Sequence, residues 1–347
     1  MSSPGSAPGS PPLYQPVSDG RRRRLIPGVA CADNDAGRAP RPVWTLPRAV
    51  GDTTGAPLRR LATMTSPSTD ERDLAALPIG MFDSGMGGLT VLHECLVTLP
   101  GENFAYVGDT ARFPYGEKSR EELELFAQQL TAFLETVPVK LVVVACYSAT
   151  SAALPLLQER FSTPIVGVVM PGARAAVQTS RYRRIGVLAT AATVASGAYP
   201  RAIHSLDGGA EVYQQACPGL VSFIEDGDVA SQALADAVRG FTAPLKEKRP
   251  DVVIMGCTHY PLIAPMLQRF LGRDVTLVNP ATEIALEVEG ILQRQGLARA
   301  DDRVGSYRFY ATGDVEAFRT VGARFLQMPL TRVRTLSLDT LDALVAP

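Results

Sequence analysis

Histidine is scarce in this chain, and several other things are missing with it. Only three histidines occur, His93, His204 and His259, too dispersed for a His-based metal site. There are five cysteines, but no C-x-x-C spacing joins any two, so neither a zinc site nor a disulfide framework is expected. That usage reads as a reduced, cytosolic protein. No apolar run approaches the ~20 residues that a membrane helix needs. Net charge is −1 and the basic residues of the folded part are scattered, so no nucleic-acid or membrane footprint is expected. The glycine-rich stretch D-S-G-M-G-G-L-T at Asp83–Thr90 lacks the G-x-G-x-x-G spacing, which excludes the dinucleotide fingerprint. Nor is there a phosphate loop or a cofactor lysine pocket, so no cofactor is expected.

What is present is one stretch, Lys140–Ser151, K-L-V-V-V-A-C-Y-S-A-T-S. The apolar run Leu141–Ala145 reads as a strand buried on both faces. Cys146 then sits at its carboxyl end, where open α/β sheets place their ligands. Ser148, Thr150 and Ser151 are expected to cap the next helix, whose dipole favours thiolate over thiol. A buried small hydrophobe is the plain alternative for one such cysteine alone. However, the pattern recurs at Asp251–Pro261, D-V-V-I-M-G-C-T-H-Y-P, where the strand ends in Gly256 and Cys257. Both copies continue as helix and then strand, to Ile165–Val169 and Val275–Val278. The starts I-G-M-F-D-S at Ile79 and I-G-V-L-A-T at Ile185 match at nearly the same separation. This predicts two similar α/β halves with mostly parallel sheets facing a central cleft, one cysteine from each.

Residues 1–77 are rich in Pro, Gly, Ser, Ala and Arg without periodicity, and are expected to be a disordered low-complexity extension. Arg21–Arg24 lies before an apolar run too short, and too broken by Pro27 and Gly28, for a targeting signal. Met64 is an expected alternative start. The first lobe is expected at 78–174 with 281–335, and the second at 175–280. Strands are predicted at Ile79–Phe82, Phe104–Val107, Ile185–Ala189, Glu211–Ala216 and Ser306–Tyr310. Ser119 with Glu122 forms a capping box for an amphipathic helix from Arg120 to Leu134. Asn279 caps a helix reaching Gln295, and Val315–Leu326 is a last amphipathic helix. Met170–Gly172 reads as a turn, and nothing is assigned from about Ser337 onward.

Gly85, Gly87 and Gly88 are expected to let a ligand approach the backbone. Asp83 and Ser84 are site candidates, with a helix N-cap as the alternative. The loop holding Asp109, Thr110, Arg112, Tyr115 and Gly116 carries enough polar chemistry to be a site. Glu225 follows apolar residues and reads either as a partly buried carboxylate or as a solvated turn residue. Cys217, before Pro218, has no evident base and reads as structural. Two opposed thiols permit one chemistry in particular: one thiolate removes the proton of a carbon acid while the other thiol delivers a proton to the opposite face. Asp83 is suited to hold the proton of Cys146, and His259 stands two residues from Cys257. Hydroxyls and N–H groups after both cysteines, with Ser84, Tyr115 and Gly116, are suitable donors to a substrate carboxylate.

In order, D-S-G-M-G-G-L-T-V, G-D-T-A-R-F-P-Y-G, V-A-C-x-S-A-T and G-C-T-H-Y-P resemble the motifs of the glutamate racemases, over about Pro78 to Leu326. The resemblance implies a cofactor-independent isomerase that interconverts L- and D-glutamate and supplies D-glutamate for peptidoglycan, hence cell wall and cell shape. It further implies a cytoplasmic homodimer or other homo-oligomer with a small-molecule substrate. The C-terminal segment would return to the first lobe. By motif position Cys146 and Cys257 are the acid/base thiols, the first acting on D-glutamate and the second on L-glutamate. Asp83, Ser84, Tyr115, Gly116, Ser148, Thr258 and His259 fall on substrate-contact or assisting positions, and Asp109 and Glu225 on supporting carboxylates. Tyr147 departs from the family's usual Asn, exchanging an amide for a phenol. A relative acting on another acid, or a binding protein impaired by Tyr147, are the competing readings. His259 argues against aspartate, because aspartate racemases tend to carry Glu there.

Overall fold

The structure, a computed structural model, describes residues 74–300 and 303–345. The expectations for residues 1–73, Met64 included, fall outside them. In chain order the first half runs β1 Ile79–Asp83, α1 Leu89–Thr98, β2 Phe104–Gly108, α2 Arg120–Thr136, β3 Leu141–Val144, α3 Tyr147–Arg160, β4 Ile165–Gly167 and α4 Val169–Thr179. Next come β5 Arg184–Ala189, α5 Ala191–Ser196, α6 Ala198–Leu206, β6 Glu211–Ala216, α7 Leu220–Glu225, α8 Gln232–Glu247, β7 Val252–Gly256, α9 Ala264–Leu271 and β8 Thr276–Val278. The chain closes with α10 Pro280–Gln295, β9 Tyr307–Ala311, α11 Val315–Leu326, β10 Val333–Thr335 and α12 Leu338–Leu344.

The strands form two sheets, ordered β10-β9-β2-β1-β3-β4 and β6-β5-β7-β8, and every pairing is parallel. The order β2-β1-β3-β4 in the first sheet is repeated as β6-β5-β7-β8 in the second, so the repeat read from sequence is a repeat of topology. β1, β2, β3 and β7 are buried at every position, as strands covered by helices on both faces must be. One apolar core runs continuously from Ile79 and Leu89 in the first lobe to Ile185 and Ile254 in the second. A second core fills the far face of the first sheet between α2, α3 and α12.

Local signals explain most element ends. The Ser119–Glu122 capping box opens α2, the Asn279 carboxamide accepts from Ala281 at the head of α10, and Asp314 caps α11. Two expectations fail. Met170–Gly172 lies inside α4, because Pro171 sits in its first turn, where a missing N–H costs nothing. The expected hydroxyl caps of α3 are absent from that role. Cys146 itself is the N-cap residue, Ser148 turns to Thr190, and the Thr150 hydroxyl donates back to the carbonyl of Val144. β10 and α12, beyond the predicted elements, complete the first lobe.

Candidate active site

Strand register puts the chemistry of each sheet in one row. Asp83 ends β1 opposite Gly108, Phe82 pairs with Val144 just before Cys146, and Ala189 lies level with both Ala216 and Gly256. The residues that follow, Ser84, Asp109 and Cys146 in one lobe and Thr190, Cys217 and Cys257 in the other, therefore leave their sheets at the carboxyl edges. Between the edges lies a cavity of about 570 Å³, counting the space open to solvent at its mouth. Its wall includes Ser84, Tyr115, Gly116, Cys146, Tyr147, Ser148, Thr190, Cys217, Cys257, Thr258 and His259. Asp83, Asp109 and Glu225 are not among the residues that line it.

Asp83 acts on Cys146 through its charge, with no hydrogen bond between them among the described residues. It is fully buried, receives the Gly85 N–H on Oδ2, and leaves Oδ1 without a hydrogen-bond partner. Burial pushes its carboxyl pKa up, against the pull of His259 and of the Gly88 and Gly85 N–H groups. Asp83 is not the cap of α1, whose N-cap is Gly88. Cys146 differs from its expectation as well. Burial, and then the Asp83 carboxylate, push its thiol up to about 12, outweighing the Ala149 N–H and the Ser84 donors. The sulfur is a held thiol, because desolvation beats the dipole of the helix it caps.

Glu225 supports His259. Its Oε1 lies 2.9 Å from Nε2 of His259, whose Nδ1 lies 3.6 Å from Sγ of Cys257 and 3.2 Å from Oγ1 of Thr258. Burial alone would lower the imidazole pKa; the bonds to Cys257 and Glu225 overcome it and raise His259 to about 10. A charged ring is thus in place beside the Cys257 sulfur. The two thiols carry unlike partners, a buried carboxyl at one and an imidazolium backed by a carboxylate at the other.

The glycines of the loop also make room for neighbouring side chains. A β-carbon on Gly85 would meet Glu225 Oε1 at 3.1 Å, and one on Gly87 would meet Oγ1 of Thr258 and the ring of His259. One on Gly88 would press on Asp83 and Tyr106. At Gly87 the missing side chain leaves room for the opposite lobe, and Thr90 Oγ1 donates across to the Thr258 carbonyl at 2.9 Å. A second bridge joins Ser148 and Thr190, hydroxyl to hydroxyl at 2.9 Å.

Asp109 has no hydrogen bond to either sulfur among the described residues. It accepts from the Tyr115 hydroxyl, from Arg112 Nε at 2.7 Å and from Thr312 at 2.8 Å. The Tyr115 phenol is therefore engaged, and what its loop offers the cavity is ring and backbone. Sequence reasoning missed the wall position of Cys217, which lines the same cavity as the other two thiols, with Sγ 3.7 Å from the Gln215 carbonyl. The available signal was its place after the last residue of a strand, the position that Cys146 and Cys257 share. Thr190 also lines the cavity while capping α5. Among the described residues no cluster of His, Cys, Asp and Glu could hold a metal ion, and no helix is long and apolar enough to cross a membrane.

Comparison with known proteins gives three findings. The Asp/Glu/Hydantoin racemase family model matches residues 93–288. A glutamate racemase of Listeria monocytogenes is 42% identical over 260 residues, covering 75% of this chain and 98% of that protein. Among solved structures, a glutamate racemase from Bacillus anthracis superposes with a TM-score of 0.73 at 39% identity, over 76% of this chain and 98% of that one. One from Francisella tularensis, solved in complex with D-glutamate, gives a TM-score of 0.73 at 35% identity, over 77% and 100%.

Proposed function

Because the chain belongs to the Asp/Glu/Hydantoin racemase family and is a racemase of the isomerase class, we propose that it interconverts L- and D-glutamate by two-thiol proton transfer without a cofactor. The observation that carries this reading is that Cys146 and Cys257 line one cavity, with His259 beside Cys257 and the charge of Asp83 acting on Cys146. From L-glutamate, Cys257 takes the α-proton with His259 and Glu225 beside it. The Cys146 thiol then protonates the opposite face of the carbanion. From D-glutamate the roles reverse, and Asp83 receives or returns the proton that Cys146 carries. The N–H groups heading α3, with the hydroxyls of Ser84, Ser148 and Thr258, are the donors assigned to the substrate carboxylates. Tyr147 and Gly116 close the pocket around the rest of the molecule. Residues 78–174 with 281–335 form one lobe of this enzyme and 175–280 the other. It would act in the cytoplasm as a homo-oligomer, supplying D-glutamate for peptidoglycan.

The decisive assay is racemisation by purified protein with no additive, read by chiral chromatography, alongside incorporation of solvent deuterium at Cα. Wild type should convert both glutamate enantiomers, and Cys146→Ala and Cys257→Ala should each abolish conversion. Full turnover in either single mutant contradicts the two-thiol assignment. Turnover of aspartate with none of glutamate would favour the reading that Tyr147 accompanies a different acid, and no deuterium incorporation from either enantiomer would leave a binding protein.

A further inference from the structure

The cavity wall at Tyr115 is tied to the last helix of the chain by hydrogen bonds that the proton-transfer chemistry does not use. Asp342, on α12, accepts from Gln129 Nε2 at 2.7 Å. Gln129 Oε1 in turn accepts from Arg112 Nη1 at 2.5 Å. Arg112 Nε donates to Asp109, which also accepts from Tyr115 and from Thr312 of the β9 turn. Arg112 lies with its guanidinium 4.1 Å from the centre of the Phe126 ring, and Phe126 contacts the Tyr115 ring at 5.5 Å. Gln129 is 3% exposed, and Asp109 is completely buried. A glutamine buried in an amphipathic helix is costly unless both ends of its amide are satisfied, as they are here.

We propose that Gln129 and Asp342 are positioning residues for the cavity: through Arg112 and Asp109 they let the C-terminal helix set the place of the Phe113–Gly116 wall. The geometry makes the link directional. Arg112 Nη2 is already buried without a partner, so losing Gln129 would leave Nη1 in the same state and free the guanidinium to swing off Asp109. The wall has little slack on its other side, because a β-carbon at Gly116 would stand 2.9 Å from Cβ of Thr190 in the opposite lobe. A small drift of Tyr115 thus changes both the cavity and the fit between lobes. Leu341 anchors α12 in the core that also contains Tyr115 and Cys146, which makes the helix a fixed reference for the relay.

The inference rests on the cavity being the racemase site, and the test reads it in two independent ways. The first is the steady-state kinetics of glutamate racemisation; the second is amide hydrogen exchange of residues 110–118 in the full chain without substrate. Gln129→Met should raise KM about tenfold with kcat within about twofold, and speed exchange of residues 110–118 by about tenfold, as expected for one lost buried hydrogen bond that orients a site. Asp342→Asn, whose amide oxygen still accepts, should match wild type in both readouts. Gln129→Glu keeps an acceptor for Arg112 Nη1 but sets a second carboxylate against Asp342, so it severs the link to α12 alone and should shift both readouts in the same direction as Gln129→Met by a smaller factor. The double variant Gln129→Glu with Asp342→Asn restores donor to acceptor and should recover wild-type values. Unchanged KM and unchanged exchange of 110–118 in Gln129→Met, with only a lower melting temperature, would overturn the relay, as would failure of the double variant to recover. If wild type turns over no glutamate, the functional reading fails by itself, and the exchange data still decide the relay.

Discussion

A β-carbon on Gly87 would stand 2.5 Å from Nδ1 of His259 and nearer still to its Cε1. The two residues come from different lobes, so the absence of a side chain at Gly87 in the first lobe sets how close His259 of the second can approach. Gly87→Ala must therefore push His259 away from Cys257 or part the lobes. Racemisation should fall at least about a hundredfold, with about 1–3 kcal/mol lost in stability from overpacking. Gly240→Ala is the control: it sits in α8 with no neighbour near its missing β-carbon, and should be neutral or stabilise by about 0.5–1 kcal/mol. Urea unfolding and chiral chromatography on both proteins check this. An active Gly87→Ala enzyme would mean that the lobes do not work in the contact described.

Glu225 ties a stability term to pH. The His259 pKa in the folded state, about 10, lies above its ordinary value near 6.5, partly through Glu225. The proton is bound more tightly by the folded chain, so the contribution is fully present below about pH 6.5 and is lost as pH rises through about 10. Glu225→Gln should cost about 1–3 kcal/mol at pH 6. The gap between wild type and variant should close towards pH 10. Unfolding free energies at pH 6, 8 and 10 read it directly, and a gap that widens with pH would reverse the assignment.

Cys217 shares the cavity without sharing the chemistry. Burial pushes its thiol up to about 12, and neither a carboxyl nor an imidazole is hydrogen-bonded to it. Cys217→Ala should keep kcat/KM within about threefold, at a cost of about 1 kcal/mol for the space left by the sulfur. Loss of turnover as complete as in Cys146→Ala would make it a third working thiol.

Tyr147 lines the cavity at the head of α3, and its hydroxyl makes no hydrogen bond among the described residues. It is buried, which pushes the phenol far up and keeps it a donor. Tyr147→Phe should leave the melting temperature almost unchanged and raise the KM for glutamate about three- to tenfold, the range expected for one hydrogen bond to a charged ligand. An unaltered KM would assign Tyr147 a packing role only.

Much of the fold was readable before any coordinates, for a physical reason. Buried parallel strands must be apolar on both faces, so Leu141–Val144 and Val252–Gly256 announce themselves, and the motif after each repeats. Capping is equally local: Ser119 with Glu122, and Asn279, act within three residues. β10 and α12 escaped because neither belongs to the repeated cysteine unit, which made the equally short β4 and β8 legible. Met170–Gly172 misled because Pro and Gly also suit the first turn of a helix. At the site, the identities of Cys146, Cys257, Asp83 and His259 were visible as motif letters, whereas the protonation of Cys146 was not. A helix N-terminus argues for thiolate, and only the depth of burial beside Asp83 decides for thiol.

The order of residues by itself determined two parallel sheets of like topology and a sulfur at the carboxyl edge of each, because periodicity and capping act over a few neighbours. The tertiary structure alone decided what a side chain at Gly87 would displace: His259 and Thr258 of the other lobe. It alone decided that Tyr115 turns its hydroxyl to Asp109, and that the last helix reaches the cavity through Gln129. Those outcomes depend on contacts between segments far apart in the chain, and desolvation, unlike propensity, is a property of everything that packs around a group.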